Sequence, residues 1–112
     1  MKKIVTIFLT TFILYPTLSE SQEKKIKTEF KIWGNCEMCN EKITNTVKSI
    51  NGVIYFKWDE KTKIAKIKYR PNLTSLETIQ KKISLSGYDT ENYKSPDKIY
   101  NNLHYCCKYD RN

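Results

Sequence analysis

The spacing of apolar residues changes once between Lys25 and Ile50, and that change constrains the fold more than any other feature of the chain. Ile26, Thr28, Phe30 and Ile32 alternate with Lys27, Glu29 and Lys31, the period of two expected of a strand with one buried face. Beyond Trp33-Gly34-Asn35, Cys39, Ile43, Val47 and Ile50 recur at helical spacing. Gly52 then stands where a left-handed helix terminus favours glycine. The chain is therefore predicted to turn from strand to helix within a few residues, with Cys36 and Cys39 at the corner. Thiols placed there meet unpaired backbone N–H groups and the positive end of a helix dipole, which favours the thiolate. Such a pair is either a soft-metal clamp or a redox couple.

The rest of the chain extends this unit. Val53 to Trp58 and Lys63 to Tyr69 are β-rich runs around a polar turn, Asp59-Glu60-Lys61-Thr62, which reads as a hairpin. Pro71-Asn72 breaks the run, and Thr74-x-x-Glu77 is a capping-box pattern ahead of Leu76, Ile79 and Ile83, with Gly87 closing the helix. Tyr88 to Tyr93 supplies a last short strand. Ser95-Pro96-Asp97 opens a short helix to about Leu103, followed by a tail with His104, Cys106 and Cys107. The order β-α-β-β-α-β plus tail predicts an α+β, ferredoxin-like sandwich, a four-stranded antiparallel sheet with two helices on one face.

Met1-Lys2-Lys3 followed by the apolar run Ile4 to Tyr15 is a positive n-region and a stretch too short to span a bilayer. We read residues 1–21 as a secretory signal peptide cleaved after Ser21, residues 25–93 as the folded domain and residues 94–112 as a C-terminal helix and tail. No cysteine follows the apolar run, so no stable membrane anchor is expected after cleavage. The product is expected to be secreted, into the periplasm. Of the 112 residues, 20 are Lys or Arg and 12 Asp or Glu, a formal charge of +8, but the lysines alternate along strands and helix faces. With no basic block and no recognition motif, nucleic acid is not expected as a partner. Export places the four cysteines where exposed thiols oxidise, so disulfide staples stand as an alternative to free thiols. A nucleophile with a paired base, a carboxylate dyad and a phosphate-binding glycine loop are all missing from the sequence, so the expectation is a binding protein and not an enzyme.

The order of elements and the Cys36-x-x-Cys39 pair at the end of the first strand resemble the heavy-metal-associated domain, the fold of small copper chaperones, metal-ATPase N-terminal domains and periplasmic mercury-binding proteins. Gly52-Val53, the hairpin from Asp59 to Tyr69 and Gly87-Tyr88-Asp89 support the resemblance, which covers about Lys25 to Tyr93. It implies that Cys36 and Cys39 hold one soft ion near the surface and pass it by ligand exchange to a docked partner, a membrane transporter or another metal-binding domain. The loop departs from the family's usual Gly-Met-Thr/Ser-Cys, having Trp33-Gly34-Asn35-Cys36 instead. Without the methionine that plugs the core under the loop, Trp33 is expected to fill that space. The segment Cys106-Cys107-Lys108-Tyr109-Asp110-Arg111 also looks like the end of exported single-domain relatives.

Copper(I) and mercury(II) are soft and accept two nearly opposed sulfurs, which a surface loop supplies without a closed cage. Cys106, Cys107 and His104 are additional candidate ligands, and zinc becomes eligible if the tail joins the site. The rival reading is a thiol–disulfide redox protein using the same Cys36 and Cys39. Met38 between them carries a soft sulfur but is read as packing or solvent-facing, and Tyr88 as core.

Overall fold

The computed structural model describes residues 24–111; the expected signal peptide and its cleavage point, and Asn112, lie outside the described residues. Strand β1 (Ile26–Lys31), helix α1 (Glu37–Lys48), strands β2 (Val53–Trp58) and β3 (Ile64–Tyr69), helix α2 (Leu76–Leu85) and a short helix α3 (Asp97–Asn101) follow in order, with a 3-10 turn at Tyr105–Cys107. The alternation read in the sequence sets the register. Phe30 lies opposite Ala65 across β1 and β3, and Phe56 opposite Ile67 across β2 and β3, in an antiparallel sheet of order β1-β3-β2. Phe30, Phe56, Trp58, Ala65, Ile67 and Tyr69 share a core with Ile43 and Val47 of α1 and Ile79 and Ile83 of α2. The helices thus cover one face, as an amphipathic stripe requires. The other face carries Lys27, Glu29, Lys57 and Lys66, all exposed.

The α+β, ferredoxin-like plan holds, with one difference at the sheet edge. The fourth strand is a single bridge, Ile32 with Thr90, flanked by Trp33 N–H to Asp89 O (2.9 Å) and Glu91 N–H to Lys31 O (3.0 Å). It stops there because Thr90 turns the chain, its N–H donating to Tyr93 O (2.8 Å), while Asp89 N–H is taken by the Tyr109 hydroxyl (2.8 Å). The cap of α2 also sits one residue later than the capping-box pattern predicts. Ser75 Oγ accepts from Thr78 N–H (3.1 Å), whereas Thr74 N–H closes the preceding turn on Arg70 O.

The C-terminal segment joins the core. Leu103, Cys107 and Tyr109 are buried with the sheet and helix residues. Gly87, at φ +118°, lies against Leu103 so closely that a Cβ there would fall 2.5 Å from Leu103 Cδ2. Tyr109 donates its hydroxyl to Gly87 O (2.8 Å) and accepts from Asp89 N–H. Arg111 completes the anchor, its guanidinium on both Asp89 oxygens (2.8 and 3.1 Å), on Asp97 (3.0 Å) and over the Tyr100 ring. Forked pairing of this kind fixes orientation as well as distance. It also holds the Asp89 carboxyl below its ordinary range against the opposing effect of burial, with Ser95 N–H adding to it.

Candidate metal centre

Trp58, and not Trp33, lies beneath the loop. Its indole N–H donates to Ile32 O (3.1 Å), and its ring approaches Gly34 so closely that a Cβ would sit 2.9 Å from Cη2. Glycine is the residue that this contact tolerates. Trp33, half-buried at the edge of the core, lines a cleft with Asp89 and Arg111 instead. The loop is held from outside by the Lys63 ammonium on Gly34 O and by the Asn35 amide, which donates to Lys108 O in the tail (2.9 Å).

From this corner Cys36 caps α1 in extended geometry and Cys39 lies in its first turn. Their sulfurs are 3.5 Å apart, and Cys36 Sγ is also 3.5 Å from Cys106 Sγ and 4.0 Å from Cys107 Sγ. The four cysteines are free thiols. Among the described residues, the sulfurs of Cys36, Cys106 and Cys107 form a group with every pair within 4.8 Å. The tail therefore reaches the loop, bringing together four of the five candidate ligands. His104 is the exception: it is exposed, its Nδ1 accepts from Cys106 N–H (3.4 Å), and its ring lies against Tyr105. It serves as the cap of the 3-10 turn that presents the cysteines. Met38 is half exposed, as its solvent-facing reading expects, and its sulfur lies 3.9 Å from Cys106 Sγ.

The thiols are not equivalent. Burial alone would raise Cys36, but the N–H of Cys39, the thiols of Cys39 and Cys106 and the N–H of Met38 bring it down to about 7. Cys39 is fully buried, and burial, reinforced by Cys107, pushes it up to about 11. Cys106 is raised by its contact with Cys36 and then by burial, and Cys107 mainly by burial. One nucleophilic sulfur at the surface is thus backed by three protonated ones. Tyr88, which is also fully buried, faces the thiols of Cys107 and Cys39; burial first and then these thiols raise its pKa, so it stays a phenol. Among the described residues its hydroxyl has no hydrogen-bond partner, an arrangement that costs about 1–3 kcal/mol in a protein interior. Neutral thiols are poor acceptors; a thiolate would relieve it.

Fold and site together define a small α+β domain that presents clustered soft sulfur at a strand-to-helix corner. Residues 35–89 match the model of the heavy-metal-associated domain. Among solved structures it is similar to a candidate copper-ion-binding protein from Bacillus anthracis, with 22% identity, 62% of this chain and 100% of the other covered, and a TM-score of 0.59. It is also similar to the copper-binding domain of HMA7, a P-type ATPase, with 24% identity over 58% of this chain and 89% of the other and a TM-score of 0.56. The third is the Cu(I)-loaded N-terminal domain of a potential copper-translocating P-type ATPase from Bacillus subtilis, at 24% identity over 60% and 85%, TM-score 0.57. At these identities the likeness establishes the fold. No curated protein sequence matches the chain.

Proposed function

We propose that this protein is an exported carrier of a soft metal ion, copper(I) or mercury(II), which it captures through Cys36 and Cys39. The observation that supports this most is the pair itself: two sulfurs 3.5 Å apart on a heavy-metal-associated domain, one inclined to the thiolate near neutral pH. Soft ions prefer such donors to oxygen or imidazole. The copper-binding domains of similar fold support copper first. In this reading residues 1–21 direct export, residues 25–93 hold the ion and residues 94–112 brace the site. The role is binding and delivery, without catalysis. Lys63 reaches Gly34 O in the loop, Lys42 lies over the Tyr88 ring and Lys108 follows Cys107 in the chain, so an acidic docking face is expected on the recipient, a membrane transporter or another metal-binding domain. Stoichiometric Cu(I) and Hg(II) binding by reduced protein should vanish in the double variant Cys36→Ser, Cys39→Ser; full affinity in that variant would dismiss the proposal.

The asymmetry of the two thiols favours a second reading. An accessible, acidified Cys36 beside a buried, protonated Cys39 is also what thiol–disulfide exchange uses. Insulin-reduction and disulfide-isomerisation assays separate the two, since a carrier shows neither activity above background.

A further inference from the structure

The ion-binding reading leaves Cys106 and Cys107 without a role, although Cys106 is as close to Cys36 as Cys39 is and Cys107 lies 4.0 Å away. Simple geometry distinguishes the available sites. With metal–sulfur bonds of about 2.3 Å, two sulfurs on opposite sides of an ion stand about 4.6 Å apart, and three in a trigonal plane about 4.0 Å apart. The pair Cys36 and Cys39, at 3.5 Å, falls short of the linear spacing. The set Cys36, Cys106 and Cys107 contains separations of 3.5 and 4.0 Å, with none above 4.8 Å. It brackets the trigonal value.

We propose that the tail supplies the resting ligands: an ion taken up by Cys36 with Cys39 finishes in a three-sulfur site formed by Cys36, Cys106 and Cys107. This rests on the soft-metal reading above. Cys36, common to both sets, keeps its bond while the bond to Cys39 is exchanged for two bonds to the tail. The incoming thiols release their protons to solvent and Cys39 takes one back, so no oxidant or reductant is involved. Two further observations point to a ligand here. The orphaned Tyr88 hydroxyl faces Cys107, where a metal-bound thiolate would accept its hydrogen bond. The tail is also no loose flap, because Tyr109 and Arg111 fasten it to Gly87 and Asp89 on one side and Asn35 ties it to the loop on the other. An ion so enclosed is shielded from competing thiols, and delivery requires a recipient that draws it back through Cys36 and Cys39. Soft ions that accept three thiolates suit this arrangement; harder divalent ions do not.

The test loads reduced protein anaerobically with one equivalent of Cu(I), counts sulfur neighbours by X-ray absorption and measures affinity against a chromophoric Cu(I) chelator. Three neighbours are expected in the native chain and in Cys39→Ser. Two are expected in Cys106→Ser, with affinity at least tenfold weaker. Cys106 is only half-buried, so the serine variant should fold, and Cys106→Ala repeats the readout without a hydroxyl in its place. Two neighbours in the native chain with affinity unchanged in Cys106→Ser would overturn the three-sulfur site and leave two-thiol capture standing. A drop to two neighbours in Cys39→Ser would also overturn it, and failure of the native chain to bind Cu(I) would remove the underlying reading itself.

Discussion

The loop of Cys36 and Cys39 and the tail of Cys106 and Cys107 carry the same atom to the same corner, but different forces hold them. The loop is positioned by backbone: the end of β1, the first turn of α1, and Gly34 pressed on Trp58. The tail is positioned by a few side chains, Leu103, Tyr109 and Arg111, each reaching back to residues 87–97. Local backbone geometry is hard to remove by one substitution, whereas an anchor of single side chains is not. The comparison therefore predicts that the tail can be detached while the loop and sheet survive.

The largest effect should come from Gly87→Ala. A left-handed φ of +118° and a Cβ driven into Leu103 act together, and strain plus overpacking cost about 2–4 kcal/mol. Chemical denaturation should show that loss. Cys107, buried in the native protein, should become open to alkylation while the amide exchange of β3 stays slow. Asp89→Ala removes the carboxylate under Arg111 and should cost about 2 kcal/mol, below the range for breaking a fully buried pair because Arg111 retains some solvent. Tyr109→Phe keeps the ring but leaves Asp89 N–H without its acceptor, for about 1–2 kcal/mol. If either variant left the exchange of residues 103–111 unchanged, the anchor would lie elsewhere.

Acid should act on the same point. Because the folded-state pKa of Asp89 is lowered, its contribution to stability is fully present above the unfolded carboxyl value of about 3.9 and fades as pH falls below it. Tail-specific amide exchange should therefore speed up below about pH 4, and Asp89→Asn should flatten that dependence. The smallest effect concerns reactivity. Alkylation of metal-free protein should begin at Cys36 with a midpoint near pH 7, and Cys39 should follow only at much higher pH. Equal midpoints would erase the difference in environment between the two loop thiols.

The same distinction explains what was legible in the sequence. Strand, corner and helix up to Ile50 are written as periodicity, which is local, and the hairpin register from Phe56 to Trp58 follows from the alternation of Ala65 and Ile67 with Lys66, whereas the register shift between Val53 and Tyr55 does not. Adjacency in the chain points to Trp33 as the plug under the loop, whereas Trp58 reaches the space from β2. The fourth strand shrank to one bridge because Tyr109, twenty residues on, takes the N–H of Asp89. Docking of the tail depends on such long-range contacts, which no local pattern announces. His104 and its neighbours show the limit: proximity in sequence to two cysteines placed it among the candidate ligands, yet its ring caps the turn and faces Tyr105.

Cys36 is the one residue that belongs to both sulfur sets, so the most direct measurement is Cu(I) affinity of the single variant Cys36→Ser, reduced and metal-free at the start. The account predicts that capture and resting sites fail together, leaving affinity near that of unstructured thiols although Cys39, Cys106 and Cys107 remain. Tight one-to-one binding in this variant would contradict it.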